Sequence, residues 1–385
     1  MSAQSLKPGW KMVKFGDIAQ NVAVRVDPAD AKTDVYVGLE HLDPSTIHLR
    51  QWGHPSDVTG QKLAFKKGDV IFGRRRAYQR KLAVTEFDGI CSAHAMVVRA
   101  KPKMILPEFL PFFLQSDMFM ERAIEISVGS LSPTINWKTL KVQEFPLPPI
   151  DEQKRVAEIL WAADEALEQF SNASEKLQQT RETYLRGLSS NGAAKKWKVI
   201  KLSKCFEIVS GQVDPKEEPY RSMPLVAPNH IEQNTGRLIC IETARDQNAI
   251  SGKYLFQSGD VVYSKIRPNL RKAFIAEFDG LCSADMYALR PLPDRIMTRF
   301  LLSILLGEHF TSFALTRCVR TGIPKLNRQE LSEYELPLPT IEDQKQISSH
   351  LEAIDAEEQK LIRHRGEVLE LKRQISREYL ETAHV

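Results

Sequence analysis

The stretch FKKGDVIFGRRRAYQRKLAVTEFDGICSAHAMVVR (65–99) returns further along the chain as FQSGDVVYSKIRPNLRKAFIAEFDGLCSADMYALR (256–290). Aligned without a gap, 15 of 35 positions are identical at a constant offset of 191. Downstream the same offset pairs Phe109 with Phe300, Pro133 with Pro324, Asn136 with Asn327, Pro146 with Pro337, Gln153 with Gln344 and Asp164 with Asp355. Upstream, WKMVKFGDIAQNVAVRVDP (10–28) matches WKVIKLSKCFEIVSGQVDP (197–215) at an offset of 187, and His41 matches His230 at 189. Small loop insertions therefore separate the matching blocks. A period near 190 residues is far too long for a solenoid repeat. A whole unit has been written twice.

Each unit has two parts, and the pattern predicts an α+β chain. The first part, about 10–149 and 197–340, reads as mixed α/β. Apolar runs at Asp69–Phe72 and Asp260–Tyr263 follow a Gly-Asp turn, and Asp88-Gly89 or Asp279-Gly280 opens the next strand. Phe and Leu at helical spacing predict a helix over 108–125 and over 298–316. The second part, 150–190 and 341–382, begins after the proline breaks PLPPI (146–150) and PLPTI (337–341). Asp151-Glu152 and Glu342-Asp343 follow at once, where the helix dipole favours negative charge.

Steps of four and three then mark a coiled-coil seam. It runs through Val156, Leu160, Ala163, Leu167, Phe170, Ser174, Leu177, Arg181, Tyr184 and Leu188. The second seam holds Ile347, Leu351, Ile354, Glu358, Leu361, Arg365, Val368, Lys372, Ile375 and Tyr379. Polar interruptions weaken each alone, so the two helices are expected to pair with each other, antiparallel, as rods of roughly 57 Å. Asn191-Gly192 is the expected end of the first.

The 385 residues carry 53 Lys+Arg against 49 Asp+Glu, a formal charge of +4 that demands neither a nucleic acid nor a membrane. No apolar run approaches the roughly 18 residues that span a bilayer. MSAQSLKPGWKM has no apolar signal core, so a cytoplasmic location in a prokaryote is expected. Five widely spaced cysteines fit reduced thiols better than a disulfide framework or a zinc site. The total charge also hides a division. Residues 151–188 and 342–382 each sum to −3, which leaves +10 on the remainder.

Within the first unit the basic residues crowd into 62–81, where Lys62, Lys66, Lys67, Arg74, Arg75, Arg76, Arg80 and Lys81 face a single acid, Asp69. The equivalent loop carries Lys265, Arg267, Asn269, Arg271 and Lys272. Arg and Lys bind phosphates, and Arg and Asn read guanine and adenine edges. Tyr78 is a candidate for stacking or a backbone contact. The scaffold around the loop is kept while its interior changes from RRRAYQ to KIRPNL, which suits two domains reading different sequences. Drift in a solvated turn explains the same change. SLSPTIN (130–136) and TGIPKLN (321–327) add Asn136, Lys325 and Asn327 as phosphate candidates, or form a proline turn into the next helix.

Catalytic constellations are missing. Glu152-Gln153-Lys154 has the ExK end of a nuclease motif but sits at a helix start with no acidic strand before it. His41 and His230 read as structural hydrogen-bonders. There is no GxGxxG, no Walker loop, no NPPY-type methyltransferase motif and no Ser-His-Asp arrangement. A binder is expected, with no metal and no catalytic residue.

FPLPPIDEQKRVAEIL (145–160) and LPLPTIEDQKQISSHL (336–351), together with FKKGDV and EFDGICS, resemble the DNA-specificity subunits of type I restriction-modification systems. The resemblance covers about 10–382; Asp-Gln replaces Glu-Gln in the second unit. It implies two target-recognition domains, each reading half of a bipartite asymmetric site on double-stranded DNA. It also implies a helical pair that docks two methylation subunits, with restriction subunits joining the assembly. S-adenosylmethionine, ATP and Mg would then be held by those partners, and this chain would be non-catalytic by itself. The alternative is a helical adaptor without sequence-specific DNA recognition.

Overall fold

The computed structural model describes residues 6–194, 197–318 and 323–381. It divides into two units, Met1–Asn172 with Ile362–Val385, and Ala173–Leu361, so the boundary falls inside both long helices.

The first unit holds two four-stranded sheets. One runs Ala19–Asn21, Met96–Ala100, Val70–Phe72, Leu82–Val84, all antiparallel. The other runs Arg25–Val26, Lys62–Phe65, Gly89–Cys91, Tyr36–Val37, its last pair parallel. Strand Val70–Phe72 is buried on both faces because side chains alternate across a sheet. Val70 and Phe72 enter a phenylalanine-rich core beneath the helices, and Ile71 enters a second core with Val97, Cys91 and Phe65. The second unit repeats both strand orders. There Val261 and Tyr263 face the helical core and Val262 the inter-sheet core. The expected strands and the duplication are therefore present.

The residues kept between the copies hold this frame. Asp69 is 1% exposed, and Arg99 donates to it twice, from Nε at 2.6 Å and Nη2 at 2.8 Å. Asp260 accepts from Arg290 at 3.0 Å through both atoms. Gly68 and Gly259 precede them at φ +89° and +92°, a backbone that glycine adopts without steric cost.

The helix expected over 108–125 is two, Leu110–Gln115 and Asp117–Glu125. Ser116 breaks it: its extended backbone and its Oγ, accepting from Phe119 N at 3.2 Å, start a new helix. Gly307 divides the equivalent stretch into Thr298–Leu306 and Glu308–Arg317.

The long helices run Ile150–Ala194 and Ile341–Ser376. The first passes through Asn191-Gly192, contrary to expectation, because one glycine costs a helix only about 1 kcal/mol. Each unit contains an antiparallel pairing of helix segments. In the first, Arg155 meets Tyr379, Asp164 meets Lys372 (2.6 Å) and Phe170 stacks on His364. In the second, Arg181 donates to Asp355 at 3.0 Å and Tyr184 lies against His350. Asp164–Lys372 and Arg181–Asp355 are equivalent pairs under the offset of 191. Most seam positions between them are half-buried, while Arg365 is exposed. No helix among the described residues is long and apolar enough to cross a membrane.

The seam is thin, so docking at the helix starts matters more. Gln153 is 0% exposed, yet its amide is satisfied three ways. Its Oε1 accepts from Leu106 N at 3.0 Å, and its Nε2 donates to Met104 O at 3.1 Å and Pro148 O at 2.9 Å. Gln344 repeats the arrangement with Met297 N, Arg295 O and Pro339 O. Beside them, Trp10 Nε1 donates to Glu152 and Trp197 Nε1 to Asp343, both at 3.1 Å. The ExK-like tripeptide is thus a docking element.

Replacing Gln153 with Leu strands Leu106 N, Met104 O and Pro148 O, of which the last is fully buried, at about 1–3 kcal/mol for each group shut away from water. The variant is expected to lose about 3 kcal/mol or more in urea unfolding and to exchange the Leu106 amide proton faster. An unchanged midpoint and unchanged exchange would refute the clamp. Burial pushes the Cys91 and Cys282 thiols up to about 12. At pH 8 both stay protonated, so alkylation followed by mass spectrometry should mark exposed Cys240 first and these two only after unfolding.

Candidate nucleic-acid interface

A loop connects Val70–Phe72 to Leu82–Val84 in the first unit, and another connects Val261–Ser264 to Ala273–Ile275 in the second. Each contains one 3-10 turn, Ala77–Gln79 or Pro268–Leu270, with a left-handed arginine on either side. These are Arg76 (φ 56°) and Arg80 (φ 52°), and Arg267 (φ 48°) and Arg271 (φ 45°). Left-handed backbone costs a non-glycine residue about 1–2 kcal/mol. Something must hold it four times at matching positions.

Arg80 N and Arg271 N close the turn itself, on Ala77 O at 2.8 Å and Pro268 O at 3.0 Å, while the proline segment holds Arg76 and Arg267. Arg76 N donates to Pro133 O at 2.8 Å and Ile135 N to Arg74 O at 3.0 Å. In the second unit Arg267 N donates to Pro324 O, and Leu326 N to Lys265 O, both at 2.8 Å. This lacing carries the neighbourhood of Asn136 and of Lys325 to the arginine loops. Thr321 and Gly322 of that second segment lie outside the described residues.

Arg75, Tyr78, Arg267 and Asn269 are exposed and make no side-chain bond among the described residues. Tyr78 and Asn269 occupy the same position of the turn. Arg76 Nε donates to Ser132 Oγ at 3.2 Å. Arg74 is half-buried, with Nη2 on Ala93 O at 2.9 Å. Asn136 is exposed and makes no cap bond. Lys325, half-exposed, lies 3.9 Å from Asp285. Lys265 sits 4.9 Å from the Tyr287 ring centre, and burial first, then the Lys325 charge, pushes its ammonium below the usual lysine value.

Other candidates are held elsewhere by the fold. Lys66 and Lys67 lie in the turn at the opposite end of strand Val70–Phe72, because a strand carries the chain away from a charge run that looks continuous in sequence. Arg80 is ion-paired to Asp117, and Arg271 to Glu182 on the long helix. Lys81 Nζ donates to Leu39 O at 2.9 Å and Lys272 Nζ to Pro228 O at 2.8 Å. Asn327 caps a helix: its Oδ1 accepts from Glu330 N at 2.9 Å, and its own N donates to Glu330 Oε2 at 2.7 Å. His41 and His230 accept from Gly38 N and Ala227 N, the structural role expected. Sequence reasoning missed Arg328, which is exposed with its guanidinium 5.9 Å from the Tyr287 ring. Trp137 occupies its place in the first copy, so the repeat gave no signal.

The chain that carries these loops matches a known domain, described as the type I restriction modification DNA specificity domain, over residues 8–179 and again over 194–371. The chain belongs to that family. It is similar to the type I restriction enzyme EcoDI specificity subunit of Escherichia coli, 27% identical over 92% of this chain and 83% of that one. It is also similar to the MjaVIII specificity subunit of Methanocaldococcus jannaschii, 20% identical over 90% and 86%. In fold it resembles the type I restriction-modification S subunit from M. genitalium (TM-score 0.62, 15% identity, 98% and 97% covered). A chain from a type I R-M assembly gives a TM-score of 0.59 at 20% identity over 98% and 99%. As in this family, the loops are parts of a specificity subunit, and the adaptor alternative is not favoured. Among the described residues no group of three or more His, Cys, Asp or Glu is placed to hold a metal ion.

If the proline segment sustains the left-handed backbone, Arg76→Val should be less stable than Arg76→Gly by about 1–2 kcal/mol, since a β-branched side chain is strained at that φ. Urea unfolding of the two variants measures it. Equal stability would mean that the loop relaxes.

Proposed function

We propose that the chain reads a bipartite, asymmetric site on double-stranded DNA, one half through 10–149 and the other through 197–340. The observation that carries this is the pair of loops: one scaffold, with Arg75, Arg76 and Tyr78 presented by the first copy and Ile266, Arg267 and Asn269 by the second. Unlike tips on like frames call for unlike half-sites. Arginine suits guanine and phosphate, and asparagine suits adenine.

The helical parts, 150–190 and 341–382, are the docking surface for two methylation subunits, with restriction subunits completing a cytoplasmic enzyme. Catalysis, and with it S-adenosylmethionine, ATP and Mg, belongs to those partners. The family supports this division, and the docking of Gln153 and Gln344 supports a rigid connection between reading domains and helices. Lys66, Lys67, Arg80, Lys81, Arg271, Lys272 and Asn327 are left to hold the fold or to touch backbone phosphate.

Co-expression with the cognate methylation subunit, followed by methylome sequencing, should reveal one bipartite motif. Arg75→Ala or Arg76→Ala should relax the first half-site only, and Arg267→Ala or Asn269→Ala the second only, each by about 1–3 kcal/mol of base discrimination. A verified complex that methylates no motif would sink the proposal. Uniform weakening with a shallower salt dependence would reassign these side chains to phosphate.

A further inference from the structure

Beside the first arginine loop stands a feature that neither core nor ion pairs explain. Residues 128–134 form a closed tip: Val128 N donates to Thr134 O at 3.1 Å, and Thr134 N to Val128 O at 3.0 Å. Gly129 turns it at φ +120°. The tip is tied to the arginine loop, for Thr134 also bridges to Arg75, and Ser132 Oγ accepts from Arg76. On it Leu131 is 90% exposed and Val128 68%. A lone exposed leucine is ordinary. Two branched aliphatic residues held outward by a hydrogen-bonded tip among arginines are not.

In the second copy, among the described residues, a single aliphatic residue stands beside the loop. Ile323, 58% exposed, directly precedes Pro324, whose carbonyl accepts from Arg267 N. An aliphatic side chain thus flanks the arginine loop in both domains, although the local sequences differ (Leu131-Ser132-Pro133 against Ile323-Pro324).

The surrounding positive charge selects a polyanion, and the apolar group must find an apolar spot on it. In duplex DNA the major groove offers one, the C5 methyl of thymine. We infer that Leu131 with Val128, and Ile323 in the second domain, contact thymine methyl groups and so add selection for A·T pairs to loops whose arginines favour guanine. This rests on the DNA-reading function proposed above.

Uracil pairs as thymine does but lacks the methyl group, which makes it the probe. The full chain, assembled with its methylation subunits, is titrated against duplexes bearing its motif, with thymine replaced by uracil in one half-site at a time. The wild type should lose about three- to fivefold in affinity per methyl contacted. Leu131→Ser should abolish the thymine–uracil difference in the first half-site and keep it in the second; Ile323→Ser should do the reverse. Both positions are exposed, so folding is spared. Equal wild-type affinity for thymine and uracil, half-sites without an A·T pair, or a difference that survives both substitutions would each overturn the inference. A wild-type complex with no preference for the thymine motif over a scrambled duplex would instead overturn the DNA-reading function itself.

Discussion

A glutamine amide shut inside an apolar core must find partners for its carbonyl and its two N–H bonds or lose several kcal/mol. Gln153 finds Leu106 N, Met104 O and Pro148 O, all backbone groups of the recognition part or the junction before the helix. Those partners exist in one geometry only, so the amide sets the position of the helix start on the domain. Gln344 does the same in the second unit. A greasy contact would allow the helix to slide; a satisfied buried amide does not. Indole bonds from Trp10 and Trp197 reinforce this point, and ion pairs such as Arg271–Glu182 add links farther along the helix.

The duplication separates residues by their work. Asp69 and Asp260 each receive a bidentate arginine within a buried frame, and Lys81 and Lys272 each tie a loop to a carbonyl. These were kept because changing one partner strands the other. Position 78, Tyr in one copy and Asn at 269 in the other, makes no side-chain hydrogen bond or ion pair among the described residues and was free to change. Left-handed arginines lie between the two classes. Their backbone is strained, and at Arg76 and Arg267 the strain is held by bonds to Pro133 and Pro324. Retained strain at a loop that faces solvent is what a presented side chain requires.

Charge runs are a poor guide to charge surfaces, and this chain shows why. Residues 62–81 look like one basic cluster, but strand Val70–Phe72 puts Lys66 and Lys67 at one end and the arginines at the other. Arg80 and Arg271 then go to Asp117 and Glu182. What remains outward is a smaller, mixed face with arginine, tyrosine or asparagine, and exposed aliphatic residues. Such a face is better suited to discriminating bases than a bare cationic patch, which binds any sequence.

The sequence by itself determined the two-copy plan, the paired helices and the family. An offset of 191 and the motifs at 145–160 and 336–351 are local, linear signals. It also made the loop frame legible, since a Gly-Asp turn and an apolar strand are short-range facts. It did not show that Glu152-Gln153 is a clamp, that Ser116 and Gly307 each split a helix, or which basic residues point outward. Those outcomes depend on groups far apart in the chain. The Gln153 partner Leu106 is 47 residues away, and the glutamate that captures Arg271 is 89 away. Only the tertiary structure decides them, because a hydrogen bond or ion pair is settled by distances in space that spacing along the chain does not encode.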